Sequence, residues 1–112
     1  MKHSWKPAVV VAAILATGFM PLRTFGAATI GAELYKSKCA SCHGPDGAGH
    51  TTMGKVLKLR DLGSADVQKQ SDDELSRITT KGKGKMPAFD GKLKKEQIGE
   101  VVGYIRALGK GK

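Results

Sequence analysis

Aromatic side chains are scarce in this chain of 112 residues, which has one tryptophan, two tyrosines and three phenylalanines. Three of the six, Trp5, Phe19 and Phe25, fall within the first 28 residues, leaving Tyr35, Phe89 and Tyr104 for the rest. Apolar runs are short as well, and none approaches the ~20 residues that an ordinary membrane-spanning helix needs. There are only two cysteines, too few for a disulfide-rich scaffold. No stretch alternates apolar and polar residues as a half-buried strand would, so the expected class is all-α. Internal repeats and low-complexity tracts are absent too. A chain of this size with so few large apolar groups is short of the core it needs, unless something other than side chains fills the centre.

The N-terminus has the layout of a secretory signal peptide. Lys2 and Lys6 precede an apolar run over residues 8–20, Pro21 and Arg23 end it, and Gly26-Ala27-Ala28 supplies small residues for cleavage. A cut after Ala28 is expected, with residues 1–28 removed and a periplasmic domain left over 29–112. An uncleaved anchor is the competing reading. Residues 29–112 carry sixteen basic and ten acidic side chains, a net charge of +6. That excess suits acidic partners or anionic surfaces and says little more; nothing in it points to nucleic acid.

Periodicity and caps predict the helices. A short one over 29–38 runs into the cysteines. Residues 44–54, rich in Gly and Thr, read as a loop. Val56, Leu57, Leu59 and Leu62 cluster around Arg60 and Asp61, and Ser64–Val67 begins a helical turn. Ser71 with Glu74 three residues later is a capping box, opening a helix that carries Leu75 and Ile78 and ends before Lys81. The last helix is expected over 94–108: Ile98, Val101, Val102, Ile105 and Leu108 form one apolar stripe, with Gly109 as its stop.

The two cysteines lie in Cys39-Ala-Ser-Cys42-His43. A thioredoxin-like redox pair wants a βαβ context, which is missing. Structural zinc wants four ligands, and Cys42 beside His43 is awkward to bring to one ion. A plain disulfide leaves His43 without a role. C-x-x-C-H is the signature of covalent haem attachment, and its spacing has a chemical reason. Thiols three apart on a helical turn face one side and reach two vinyl groups of one porphyrin. The next residue, His43, can then ligate the iron. A haem would also fill the missing centre.

The other face of the iron needs a ligand, and the candidates are Met86, Met53 and His50. Met86 sits in a non-helical loop, between glycines that let the backbone pass close and a stiffening Pro87. Its thioether suits haem iron. Read from residues alone, a core methionine is the alternative. Met53 lies in the Gly/Thr loop, and His50 reads as an exposed loop histidine.

CASCHG, GKGKMPAF and EQIGEVVGYIRALGK, in that order, resemble the small monohaem class I bacterial cytochromes c over Ile30–Leu108. The resemblance implies a cytochrome c fold, with short helices wrapped around one covalent haem c and the terminal helices crossing. Gly31 and Tyr35 on the first helix would meet Val101 and Tyr104 on the last. It also implies attachment at Cys39 and Cys42, with axial ligands His43 and Met86. The match has gaps. Relatives often hold the histidine N–H with a proline carbonyl, but no proline lies between Pro45 and Pro87. The tryptophan that many place near a haem propionate is missing too; Arg60 is a candidate for that role, or a surface arginine.

A His/Met-ligated haem leaves no substrate position, no catalytic base stands beside it, and no second cofactor motif is present. The function expected is that of a monomeric periplasmic electron carrier rather than an enzyme. The alternatives are a relay subunit of a larger oxidase or dehydrogenase, or a haem peroxidase if Met86 leaves the iron. Redox partners with acidic docking faces are expected to meet Lys81, Lys83 and Lys85, with Lys36 and Lys38 at the same edge. The distant Lys110 and Lys112 are expected to matter less. The bland alternative is that these lysines only keep the protein in solution.

Overall fold

The structure is a computed structural model that describes residues 2–3, 8–13, 16–19, 21 and 26–110. Part of the expected leader, and Lys112, lie outside the described residues. Within the leader, Val9, Val10, Val11 and Phe19 are exposed. No helix among the described residues is long and apolar enough to cross a membrane.

Among the described residues six helices follow one another: α1 (Ala27–Lys38), α2 (Ala40–His43), α3 (Thr52–Leu57), α4 (Ala65–Gln68), α5 (Asp72–Lys81) and α6 (Lys95–Gly109). Two isolated bridges, Lys83 with Met86 and Asp90 with Leu93, pin turns rather than build a sheet. The all-α expectation therefore holds.

α1 and α6 form the frame. The stripe on α6 is buried as its spacing predicts, at Ile98, Val101, Val102 and Ile105, with Leu108 packed against the core from its edge. Tyr35 on α1 is buried and lies 4.9 Å, centroid to centroid, from the Tyr104 ring, tilted by 43°. The helices close tightly because Gly31 has no side chain: a Cβ there would sit 2.2 Å from the Glu100 carbonyl oxygen. The crossing expected of Gly31, Tyr35, Val101 and Tyr104 is thus present. Phe89, Leu93, Leu75 and Val67 extend the same core.

Caps set the short helices. Ser64 Oγ accepts from the Val67 amide at 3.5 Å and Ser71 Oγ from the Glu74 amide at 3.1 Å. Only half of the expected capping box forms at Ser71. The Glu74 carboxylate does not reach back but forks onto Arg77, Oε1 at 2.7 Å and Oε2 at 3.0 Å. The helical boundaries run slightly past expectation, through Lys81 in α5 and through Gly109 in α6.

One element corrects the sequence reading. Residues 52–57, divided there between loop and apolar cluster, form α3. Thr51 caps it, its Oγ1 accepting from the Gly54 amide at 2.8 Å and donating to the Cys42 carbonyl at 2.6 Å. Contact with the cysteine turn, rather than helix propensity, fixes this helix.

Candidate haem site

The cysteine turn is built by two consecutive helix ends. Cys39 closes α1, its amide donating to the Tyr35 carbonyl at 2.8 Å. The single turn α2 follows, with the Cys42 and His43 amides both donating to the Cys39 carbonyl, at 3.2 and 3.0 Å. Gly44, at φ 82°, ends it, and its carbonyl accepts from the Tyr35 hydroxyl at 2.7 Å. Burial pushes the Tyr35 hydroxyl far above its usual range, so it stays protonated as that donor. The His43 carbonyl in turn accepts from Gly49 N–H at 2.8 Å. The turn is held from the α1 side, from the following loop and from Thr51.

Both cysteines are half-buried and are not joined to each other. Burial pushes the Cys39 thiol up to about 11, which keeps it neutral at ordinary pH. His43 is also half-buried, and burial holds its imidazole below the usual histidine range. Its Nδ1 is buried with no hydrogen-bond partner, a state that costs about 1–3 kcal/mol for a polar group. Among the described residues, none supplies the partner expected for this histidine.

Met86 comes in on a tight turn. Lys83 and Met86 exchange backbone bonds, at 2.9 and 3.2 Å. Gly82, at φ 75°, allows this: a Cβ there would lie 2.5 Å from the Met86 carbonyl oxygen. Beyond Pro87 the chain is tied back to α5, Phe89 N–H donating to the Thr79 carbonyl and Asp90 N–H to that of Thr80, both at 3.1 Å.

These two pieces face each other across an open apolar space. A cleft of about 390 Å³ is lined by His43 and Met86 together with Leu57, Leu59, Leu62, Val67, Leu75 and Ile78. A smaller one of about 160 Å³ adds Cys39, Cys42, Pro87 and Phe89 to the same His43 and Met86. Leu57 and Leu59 are only half-buried and line this space, and half-buried Leu62 lines it while also packing against the core. All four site residues predicted from sequence thus line one region. An apolar slot with two thiols at its edge, and an imidazole and a thioether lining it, suits a flat apolar macrocycle holding a soft-ligated iron.

The rivals do not join them. Met53 is 48% exposed on α3, His50 is exposed in the loop, and neither lines the clefts. Charge is one-sided: Lys38, Lys58, Arg60, Lys83 and Lys85 line the clefts, and no aspartate or glutamate does. Lys36 and Lys81, grouped with them from sequence, are not among the lining residues. Lys58 was missed. It is the left-handed C-cap of α3, at φ 54°, and its place at the cleft depends on a helix that the sequence did not announce.

A family model described as cytochrome c oxidase, cbb3-type, subunit III matches residues 26–105. The cytochrome c6 of Microcystis aeruginosa is 39% identical over 77 residues, covering 69% of this chain and 91% of that protein. The cytochrome c6 of Anabaena variabilis is 40% identical over 83 residues, covering 71% and 87%. Among solved structures, the KustC0563 c-type cytochrome superposes with a TM-score of 0.66 at 33% identity, over 71% of this chain and 98% of that one. With the C-x-x-C-H turn opposite Met86 across an apolar cleft, and crossed terminal helices behind it, this chain belongs to the small class I c-type cytochromes.

Proposed function

We propose that the protein is a periplasmic one-electron carrier. Cys39 and Cys42 would hold one haem c by thioethers, and His43 and Met86 would ligate its iron. The observation that carries this reading is the shared cleft, since chain segments more than forty residues apart bring an imidazole and a thioether to one apolar space. With His43 and Met86 holding the iron, substrate would have no access to it, and the haem would supply reversible one-electron chemistry. The chain sets the potential, through thioether ligation, which raises it, and through a lining with cations and no carboxylates. Export depends on the leader. The cut expected after Ala28 falls inside the first turn of α1 and would make Thr29 the first residue.

The test of attachment is extraction. Acid acetone should leave the colour with the polypeptide of the holoprotein, and a freely extracted haem overturns the attachment reading. A second reading, a relay subunit of a larger oxidase, is favoured by the description of the matching family model. Fractionation of the native host separates the two. A carrier is released with the periplasmic contents at the mass of residues 29–112 plus one haem, whereas a relay stays with a membrane complex.

A further inference from the structure

We propose that Arg106 and Gln68 form a latch through which α6 holds one wall of the haem cleft, making Arg106 a positioning residue for the iron site. The inference rests on the haem reading above.

The guanidinium of Arg106 has three partners on one short stretch. Nε donates to Asp72 Oδ1 at 2.8 Å, Nη1 to the Gln68 carbonyl at 2.7 Å, and Nη2 to the Gln70 carbonyl. Asp72 is 73% exposed, so that ion pair is worth little. The two carbonyls matter more. They lie at and just beyond the end of α4, where the last carbonyls of a helix have no partner within it. Gln68 returns the contact, its Nε2 donating to the Leu62 carbonyl at 2.8 Å and to the Ile105 carbonyl at 3.0 Å. Gly109 makes room for it, since a Cβ there would lie 2.5 Å from Gln68 Cδ.

The other side of this stretch is the cleft wall, lined by Leu62, Val67, Gln70 and Leu75. α4 is a single turn and cannot hold its own shape, because helix nucleation is unfavourable without tertiary support. Two neighbouring residues of α6, 105 and 106, give that support at the chain's far end. Lysine cannot copy it: an ammonium is a point donor, whereas the guanidinium offers a planar fork to acceptors in different directions.

The experiment is hydrogen exchange by mass spectrometry, with imidazole binding to the ferric holoprotein, on the wild type and on Arg106→Gln, Arg106→Lys, Gln68→Met and Arg77→Gln. Arg106→Gln and Gln68→Met should each raise exchange over residues 68–70 about tenfold. Imidazole should bind about tenfold faster, the change that about 1.4 kcal/mol in a barrier produces. Exchange across the α1–α6 crossing should stay as in the wild type. Arg106→Lys should restore less than half of the lost protection. Arg77→Gln, which breaks only an exposed pair with Glu74, should change nothing. The latch is overturned if exchange rises equally at the crossing, if lysine restores everything, or if neither variant changes exchange or imidazole binding. Gln68→Met alone decides the matter if Arg106→Gln yields no holoprotein. A wild-type ferric spectrum without sulfur ligation would sink the proposed function instead, and the exchange pattern would still judge the latch.

Discussion

Met86 and Met53 differ less in chemistry than in surroundings. Met86 is half-buried on a turn pinned by backbone bonds to Lys83, and it lines both clefts. Met53 lies out on α3 at 48% exposure. Met86→Ala should therefore abolish the weak near-infrared absorption of sulfur on ferric iron, lower the reduction potential and admit exogenous ligands, while Met53→Ala leaves all three unchanged. Optical titration with azide and a potentiometric scan check it; the reverse pattern would move the ligand to Met53. The four residues proposed to hold the haem could be picked out of the sequence because their chemistry is local: a C-x-x-C-H turn, and a methionine that follows a glycine-rich loop and precedes a proline. The orphaned Nδ1 of His43 was not legible beyond the lack of a nearby proline. A missing partner is a property of the packed neighbourhood.

Among the elements, the α1–α6 crossing sets a test with two signs. Gly31→Ala forces a methyl group against the Glu100 carbonyl at 2.2 Å, and overpacking of this kind typically costs about 1–3 kcal/mol. Gly99→Ala, on α6 but with nothing within 4 Å of the new Cβ, should instead stabilise by roughly 0.5–1 kcal/mol through helix propensity. Urea midpoints of the two holoproteins should shift in opposite directions. The long elements could be read from sequence because periodicity and caps agree in them: the stripe of α6 from Ile98 to Ile105, and Ser71 before α5. α3 could not. Thr52, Gly54 and Val56 are poor helix formers, and six residues give no periodicity to count. Its cause is tertiary, with the Thr51 hydroxyl bound to the Cys42 carbonyl. The same blindness hid Lys58, which reaches the cleft only because α3 ends in a left-handed residue.

Across the whole molecule the excess of positive charge is not spread evenly, since five cations and no carboxylates line the clefts. Such a rim can steer an acidic partner, at rates that fall with salt because the Debye length is ~8 Å at physiological ionic strength. Reversing Lys83 and Lys85 to Glu should slow the bimolecular reaction with the native redox partner at low salt and flatten its salt dependence. Spectrum and potential should change little. Reversing Lys110, at the C-cap of α6 and outside the cleft lining, should have a much smaller effect. Stopped-flow rates across ionic strength measure both. An equal effect from the two reversals would remove the cleft lysines from docking.

The meeting of Gly31 with Glu100 joins positions 69 residues apart, and that has a consequence in time. Closing a loop of this length is an entropic cost that grows only slowly with length, but it cannot be met until the last helix exists. Chains emerge N-terminus first at about 5–20 residues per second, so Cys39, Cys42 and His43 are exposed for several seconds before α6 can cover the frame behind them. α6, which fastens the domain, is made well after the cysteine turn, and that turn is presented on an open chain throughout the interval. A fold completed by two helices far apart in sequence leaves the sulfurs proposed to hold the haem open until α6 docks.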